Sequence, residues 1–198
     1  MFKPNRLAAV LILGAAAITA LFSCAASKES VKLSDSSDME KYAEKNFGKA
    51  QLLSADTSSD TEAVYTFKDE EYGFEYSVRS FASGNRVDGD VLGYSEKKSS
   101  DFSEKFQNYI DSQISDELEK YEQQYHFEFE WKGGNSEDIA GTLVFDEAYT
   151  SNAQEAAEKT AECILRIDDR GYFESVIAKS SNGYYAVYDL KNKKFESN

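Results

Sequence analysis

Residues 100–132, SDFSEKFQNYIDSQISDELEKYEQQYHFEFEWK, contain the two patterns that decide the fold. In the first part, aromatic and aliphatic residues recur every three or four positions, which is the spacing of one face of an α-helix. These residues are Phe102, Phe106, Tyr109, Ile110, Ile114, Leu118, Tyr121 and Tyr125. In residues 125–131, aromatic and polar residues alternate, which is the spacing of a half-buried strand. The stretch therefore predicts a long amphipathic helix that leads directly into a strand.

Shorter patterns on both sides of this stretch predict the other helices and strands. Before it, we expect a helix capped by Ser37 or Asp38, followed by strands; these elements cover residues 39–47, 49–55, 62–68 and 74–78. After it, we expect a strand, a helix and two strands, over residues 141–146, 151–167, 172–179 and 184–190. The order α-βββ-α-ββ-α-ββ predicts an α+β fold, with helices packed on one face of a mainly antiparallel sheet.

The N-terminal segment has the layout of a secretory signal peptide. Lys3 and Arg6 precede residues 7–22, which are uncharged and almost wholly apolar, and small residues follow at positions 23–27. The apolar run is slightly shorter than the roughly 20 residues of a membrane-spanning helix. The sequence therefore predicts an exported protein.

The string Leu21-Phe22-Ser23-Cys24 resembles the lipobox of bacterial lipoproteins, with an aliphatic first residue, a small third residue and a fourth-place cysteine. Phe22 departs from the small or β-branched residue that is more usual at the second place. The resemblance implies that residues 1–23 are removed as a signal peptide and that Cys24 becomes the lipid-modified N-terminus. Two alternatives are cleavage by an ordinary signal peptidase, which would release a soluble protein, and retention of the segment as an uncleaved anchor.

The predicted domain organisation follows from this cleavage site. Residues 24–36 are polar and rich in serine, which is typical of a flexible tether, and residues 37–198 form a single globular domain. The predicted location is the outer, extracytoplasmic face of the cytoplasmic membrane, where two acyl chains on Cys24 give stable attachment. Cys163 then has no cysteine partner, so the mature domain contains no internal disulfide bond.

Composition excludes one class of partner. The chain has 36 acidic and 22 basic residues and a net charge of −14, and two of its basic residues lie in the signal peptide. Such a charge repels nucleic acid, so we exclude it as a partner. The charge suits a cationic partner or a metal ion, or it serves only to keep the protein soluble. No cofactor is predicted.

The sequence contains no catalytic constellation, and we predict no catalytic residue. His126, the sole histidine, falls on the polar face of the predicted strand, and Cys163 falls on the apolar face of a helix. Glu128 and Glu130 share a strand face and leave open a small carboxylate-dependent enzyme acting on cell-wall glycan. The simpler interpretation of these two glutamates is a charged, solvent-facing strand surface.

A second alternative is a Ca²⁺-dependent adhesion or scaffold module. Asp88 and Asp90 flank Gly89 and offer closely spaced oxygen ligands, which Ca²⁺ prefers. The spacing and the terminal glutamate of a calcium-binding loop are missing, and such a sequence also occurs in ordinary turns. A structural zinc site is excluded because the chain has no cluster of cysteine and histidine.

The favoured hypothesis is a non-catalytic lipoprotein that binds a protein, a peptide or a glycan. Residues 81–100, with three glycines, are predicted to form a long irregular loop, and long loops in compact domains are often binding elements. Arg86 and Tyr94 in this loop, together with Tyr184, are the candidate ligand-binding residues. The alternative is that these aromatic residues belong to the core.

Two strings in the domain are similar to those of uncharacterised small cell-surface lipoproteins of Gram-positive bacteria. They are KDEEYGFEY at residues 68–76 and GYSE at residues 93–96. The resemblance would extend over most of the mature domain. It implies no known activity, and no functional residue is carried over from it.

Overall fold

The computed structural model describes residues 31–88, 90–132 and 139–197. The predicted signal peptide, the lipidation of Cys24 and most of the predicted tether lie outside the described residues. The chain begins its regular structure with helix α1, Ser36–Phe47, whose N-cap is Asp35. The Asp35 side chain accepts a hydrogen bond from the Asp38 N–H, which is the usual way to satisfy a donor in the first turn.

The first sheet is a four-stranded antiparallel meander in the order β1-β2-β3-β4. Its strands are β1 Ala50–Ser59, β2 Glu62–Asp69, β3 Glu75–Val87 and β4 Asp90–Ser100. Burial alternates along β2 and along the first half of β3, because one face of the sheet is covered by helices and the other faces solvent. The strands β3 and β4 continue past the start of β2 as a two-stranded ribbon, residues 83–95.

The second sheet has five strands in the order β5-β6-β7-β8-β9. They are β5 Phe127–Lys132, β6 Ile139–Phe145, β7 Phe173–Ser180, β8 Tyr185–Asp189 and β9 Lys194–Ser197. The pair β6–β7 is parallel, and a 3₁₀-helix, Glu147–Asn152, and helix α3, Ala153–Leu165, make the crossover that parallel strands require. The strand β6 is buried along nearly its whole length, as expected between two neighbours and under a helix.

Helix α2, Phe102–Tyr125, joins the two sheets into one core. The Phe106 ring contacts Phe74 beside the first sheet, with ring centroids 5.9 Å apart, and Tyr172 and Phe173 at the second, at 5.1 and 5.7 Å. The apolar stripe of the sequence is therefore core, because Phe106, Ile110 and Ile114 are fully buried.

The α+β class is confirmed, with three differences from the sequence-based prediction. The strands form two sheets, and β4 and β9 are additional strands. The irregular loop predicted for residues 81–100 is wrong, because this segment is the end of β3 and all of β4. The ribbon has no buried face with alternating apolar residues, and this alternation is the pattern by which strands are recognised in sequence.

Two local predictions are also corrected. The strand predicted at His126 is wrong, because this residue caps the C-terminal end of α2 in the left-handed conformation, with φ of 59°, and its ring stacks on Tyr149. The tether was predicted to extend to residue 36, but the Ser34 N–H donates to the Glu96 carboxylate at 2.8 Å and the Ser34 carbonyl accepts from the Tyr65 hydroxyl at 2.7 Å. Ser34 therefore belongs to the folded domain.

Candidate functional site

A cleft of about 450 Å³ opens where α1, the end of β4 and the start of α2 meet the second sheet. Its volume lies in the range of small-molecule sites, about 300–1,000 Å³. The lining combines aromatic rings, serine hydroxyls, one amide and one ammonium group. The lining residues are Tyr42, Asn46, Phe47, Lys98, Ser99, Ser100, Phe102, Ser103, Ile139 and Tyr172.

The apolar part of the cleft is formed by rings that hold one another in place. Phe47 is the last residue of α1 and Phe102 is the first of α2, so the two helix ends bring these rings into a stack with centroids 4.7 Å apart. Tyr172 meets Phe102 edge to face at 5.1 Å, and its hydroxyl donates to the Phe47 carbonyl. Such ring pairs add to the energy of burial, so this part of the cleft is preformed.

Lys98 supplies the positive charge of the cleft. Its ammonium lies 3.3 Å from a Glu96 carboxylate oxygen and 5.5 Å from the centre of the Tyr42 ring. Burial alone raises the pKa of Glu96, but hydrogen bonds from Ser34, Ser80 and Lys98 outweigh it and lower this pKa to about 2. Glu96 is therefore ionised at neutral pH and fixes Lys98 beside the cleft.

A partly buried ion cluster around Arg170 holds two of the cleft-lining residues, Phe47 and Tyr172, in place. The Arg170 guanidinium donates to the fully buried Asp69 carboxylate at 2.8 Å, to the Phe47 carbonyl at 3.1 Å and to the Tyr172 hydroxyl at 3.2 Å. Gly48 permits this approach, because its φ is 85° and a Cβ there would lie 2.7 Å from the guanidinium. Arg170 thus ties the end of α1 and the β2–β3 turn to the loop before β7.

The predicted ligand-binding residues lie elsewhere. Arg86 and Tyr94 are on the ribbon, whereas Tyr184 directly precedes β8 in the second sheet and packs against the core. None of the three is among the cleft-lining residues. Tyr42, Lys98 and Tyr172 could not be predicted as one site, because they are far apart in the chain and only the fold brings them together.

The residues considered for metal binding lie at the end of the ribbon. Asp88, with a φ of 51°, lies in the turn between β3 and β4, and Asp90 is the first residue of β4. Within residues 31–88, 90–132 and 139–197, no group of three or more Asp, Glu, His or Cys residues is arranged to hold a metal ion. Gly89 lies outside the described residues.

The groups considered for catalysis are engaged in other interactions. Glu128 and Glu130 are exposed on β5, and Glu130 pairs with Lys179 at 3.3 Å. The Cys163 thiol is buried and donates to Glu117 at 3.2 Å. Burial and, to a smaller extent, the hydrogen bond to Glu117 raise the pKa of Cys163. The unreactive protonated thiol therefore predominates.

The chain shows no similarity that would assign the cleft a role. In the described part of the chain, no helix combines the length and apolar character needed to cross a membrane. Residues 7–22 are not among those described, so the predicted leader stays a prediction. Compared with known proteins, the chain matches no family model, no curated protein and no solved structure.

Proposed function

We propose that this chain is a lipid-anchored extracytoplasmic protein that binds a ligand in the cleft and leaves it chemically unchanged. The observation that carries the proposal is the lining of the cleft. It combines preformed aromatic surface with a few polar groups that can fix an orientation, which is typical of binding sites. Cys24 provides the attachment, and residues 24–33 connect the lipid to the domain.

The lack of carboxyl, imidazole and thiol groups in the described lining supports binding over carboxylate-, histidine- or cysteine-dependent catalysis at this place. None of the described lining residues is an aspartate, glutamate, histidine or cysteine. A carboxylate-dependent glycosidase needs two carboxyl groups about 5–10 Å apart across the substrate. Glu128 and Glu130, the pair considered for that chemistry, lie on the exposed side of β5 and outside the cleft lining.

The binding site is tested by titrating the protein with purified muropeptides, which contain both sugar and peptide. We expect changes in amide chemical shift that are confined to the elements lining the cleft, which are residues 42–47, residues 98–103, Ile139 and Tyr172. Ser103→Trp places a large ring at the cleft and should abolish them. Ser112→Trp lies on the exposed side of the same helix and should leave them unchanged. Shifts that are spread over the surface, or equal in both variants, would contradict the proposal.

The anchor is tested by metabolic labelling with radioactive palmitate in a bacterial host that processes lipoproteins. The wild-type protein and Cys163→Ser should incorporate the label, because Cys163 is buried in the domain. Cys24→Ser should incorporate none and should leave the membrane fraction. An unlabelled wild type, or a labelled Cys24→Ser protein, would rule out lipidation at Cys24.

A further inference from the structure

One wall of the cleft is a helix and the opposite wall is an edge strand. Tyr42 and Asn46 are four residues apart on α1, so their side chains lie one above the other on the same face. Residues 98–100 of β4 form the opposite wall. In the part of the chain that the structure describes, β4 pairs with β3 alone, so its other edge borders no strand.

The register of β4 determines which of its backbone groups face that outer edge. The Asp101 N–H donates to the Ser77 carbonyl at 3.2 Å, and the Ser77 N–H donates to the Asp101 carboxylate at 2.6 Å, so these two residues occupy a hydrogen-bonded position at the end of the antiparallel ladder. Because such pairs alternate along a ladder, the N–H and C=O groups of Lys98 and Ser100 turn away from β3. The bond from the Ala82 N–H to the Thr61 carbonyl fits the same alternation on the other side of β3.

The cleft therefore offers backbone donors and acceptors on one side and side-chain surface on the other. An extended chain laid against β4 would pair with Lys98 and Ser100 through its backbone. Every second side chain of that chain would point toward the rings of Tyr42, Phe47 and Tyr172, because strand side chains alternate between faces. Strand addition to a sheet edge, with pockets for alternate side chains, is a recurring mode of peptide recognition.

We propose that the ligand of the cleft is an extended peptide segment that adds to β4 as a further strand, with apolar side chains at alternate positions. This inference rests on the cleft being the binding site proposed above. A glycan would use the same rings but would not require the outer edge of β4, and this difference separates the two ligand classes.

The test uses the full lipidated protein in nanodiscs and a pool of eight-residue peptides. Each peptide has threonine at every second position and valine, isoleucine, phenylalanine or tyrosine between. The tightest member is then made in two N-methylated forms, one for each alternate set of backbone nitrogens. We expect one form to bind at least roughly tenfold more weakly, because it loses its hydrogen bonds to the carbonyls of Lys98 and Ser100, and the other to bind nearly as well as the parent.

The amide signals of Lys98 and Ser100 should shift when the parent peptide binds, and Ser103→Trp should abolish binding while Ser112→Trp does not. Equal effects of the two N-methylated forms, or no binding by any peptide in the pool, would overturn strand addition. Binding of N,N′-diacetylchitobiose without binding of the peptides would also overturn it, but it would leave the cleft as the binding site. Failure of both probes and of the muropeptide titration would remove the cleft from consideration.

Discussion

Arg170 joins three parts of the chain next to the cleft, because its guanidinium contacts Asp69, the Phe47 carbonyl and the Tyr172 hydroxyl. Its partner Asp69 is fully buried and also accepts hydrogen bonds from the N–H groups of Glu71 and Tyr72 in the β2–β3 turn. A buried carboxylate that loses its cation stays desolvated without compensation, and this is costly. The exposed pair of Arg79 and Glu62 has the same chemistry without the burial.

We expect Arg170→Met to lower the free energy of unfolding by about 3–5 kcal/mol, because it leaves the buried Asp69 carboxylate without a cation and with only the N–H groups of Glu71 and Tyr72 as donors. Arg79→Met is the matched control and should cost less than about 1 kcal/mol. Urea denaturation monitored by circular dichroism measures both. Similar, small losses in the two variants would show that Asp69 finds another partner when Arg170 is removed.

Glu96 should make the free energy of unfolding of the domain depend on pH in the acid range. Its pKa in the folded protein, about 2, lies below its ordinary value of 4.5. The stability that it contributes is therefore complete above about pH 5 and is lost as the pH falls through 4.5 toward 2. We expect the difference in unfolding free energy between wild type and Glu96→Gln to be largest at pH 7 and to shrink toward pH 2.5. A difference that stays constant over this range would contradict the assignment.

At the scale of single elements, β6 depends on a glycine at its centre. A Cβ on Gly141 would lie 2.8 Å from two ring carbons of Phe129 on the neighbouring strand β5. Gly93 lies on the ribbon, and a Cβ there would meet nothing within 4 Å. The two glycines therefore differ in what surrounds them, although both lie in strands.

We expect Gly141→Ala to destabilise the domain by about 1–3 kcal/mol, because the Phe129 ring must move in a packed environment. Gly93→Ala should be neutral or should stabilise by up to about 1 kcal/mol through the unfolded state. Differential scanning calorimetry compares the two melting temperatures with that of the wild type. Equal melting temperatures for both variants would mean that the ring of Phe129 relaxes without cost.

Helices and strands whose apolar residues recur at a regular spacing were predictable from sequence, and the strands of the ribbon, which lack such a spacing, were not. The apolar stripe of α2 and the alternation of apolar and polar residues in β5 arise because one side of each element is buried. The sequence pattern therefore predicts these two elements. The ribbon is exposed on both faces, and nothing in its composition distinguishes it from a loop. The cleft was not predictable either, because its walls come from α1, β4 and α2, whose packing depends on contacts distant in sequence.

At the scale of the whole molecule, the two sheets share one aromatic core rather than forming separate folding units. Phe106 is fully buried, and its ring contacts aromatic residues on both sides, among them Phe74 and Phe173. The ion cluster of Arg170 crosses the same boundary. A substitution at this boundary should therefore lower the stability of both sheets, whereas a substitution in an outer strand should lower the stability of its own sheet alone.

We expect Phe106→Ala to cost about 3–5 kcal/mol and to reduce amide protection in β2, β3 and β7 together, because the cavity borders both sheets. Phe195→Ala on the edge strand β9 is the control, and its effect should be confined to the second sheet. Hydrogen–deuterium exchange with mass spectrometry resolves the two patterns. Loss of protection in one sheet alone after Phe106→Ala would show that the sheets unfold independently.

If the chain is anchored at Cys24 as proposed, the hydrogen bonds of Ser34 have a mechanical consequence. A pull on the preceding chain would enter the domain through Tyr65 on the inner strand β2 and through Glu96 on β4. Lys98 at the cleft is the ion-pair partner of Glu96, so the path of force from tether to ligand is only a few residues long. With the proposed anchor and ligand, drag on a bound partner would load this corner of the first sheet.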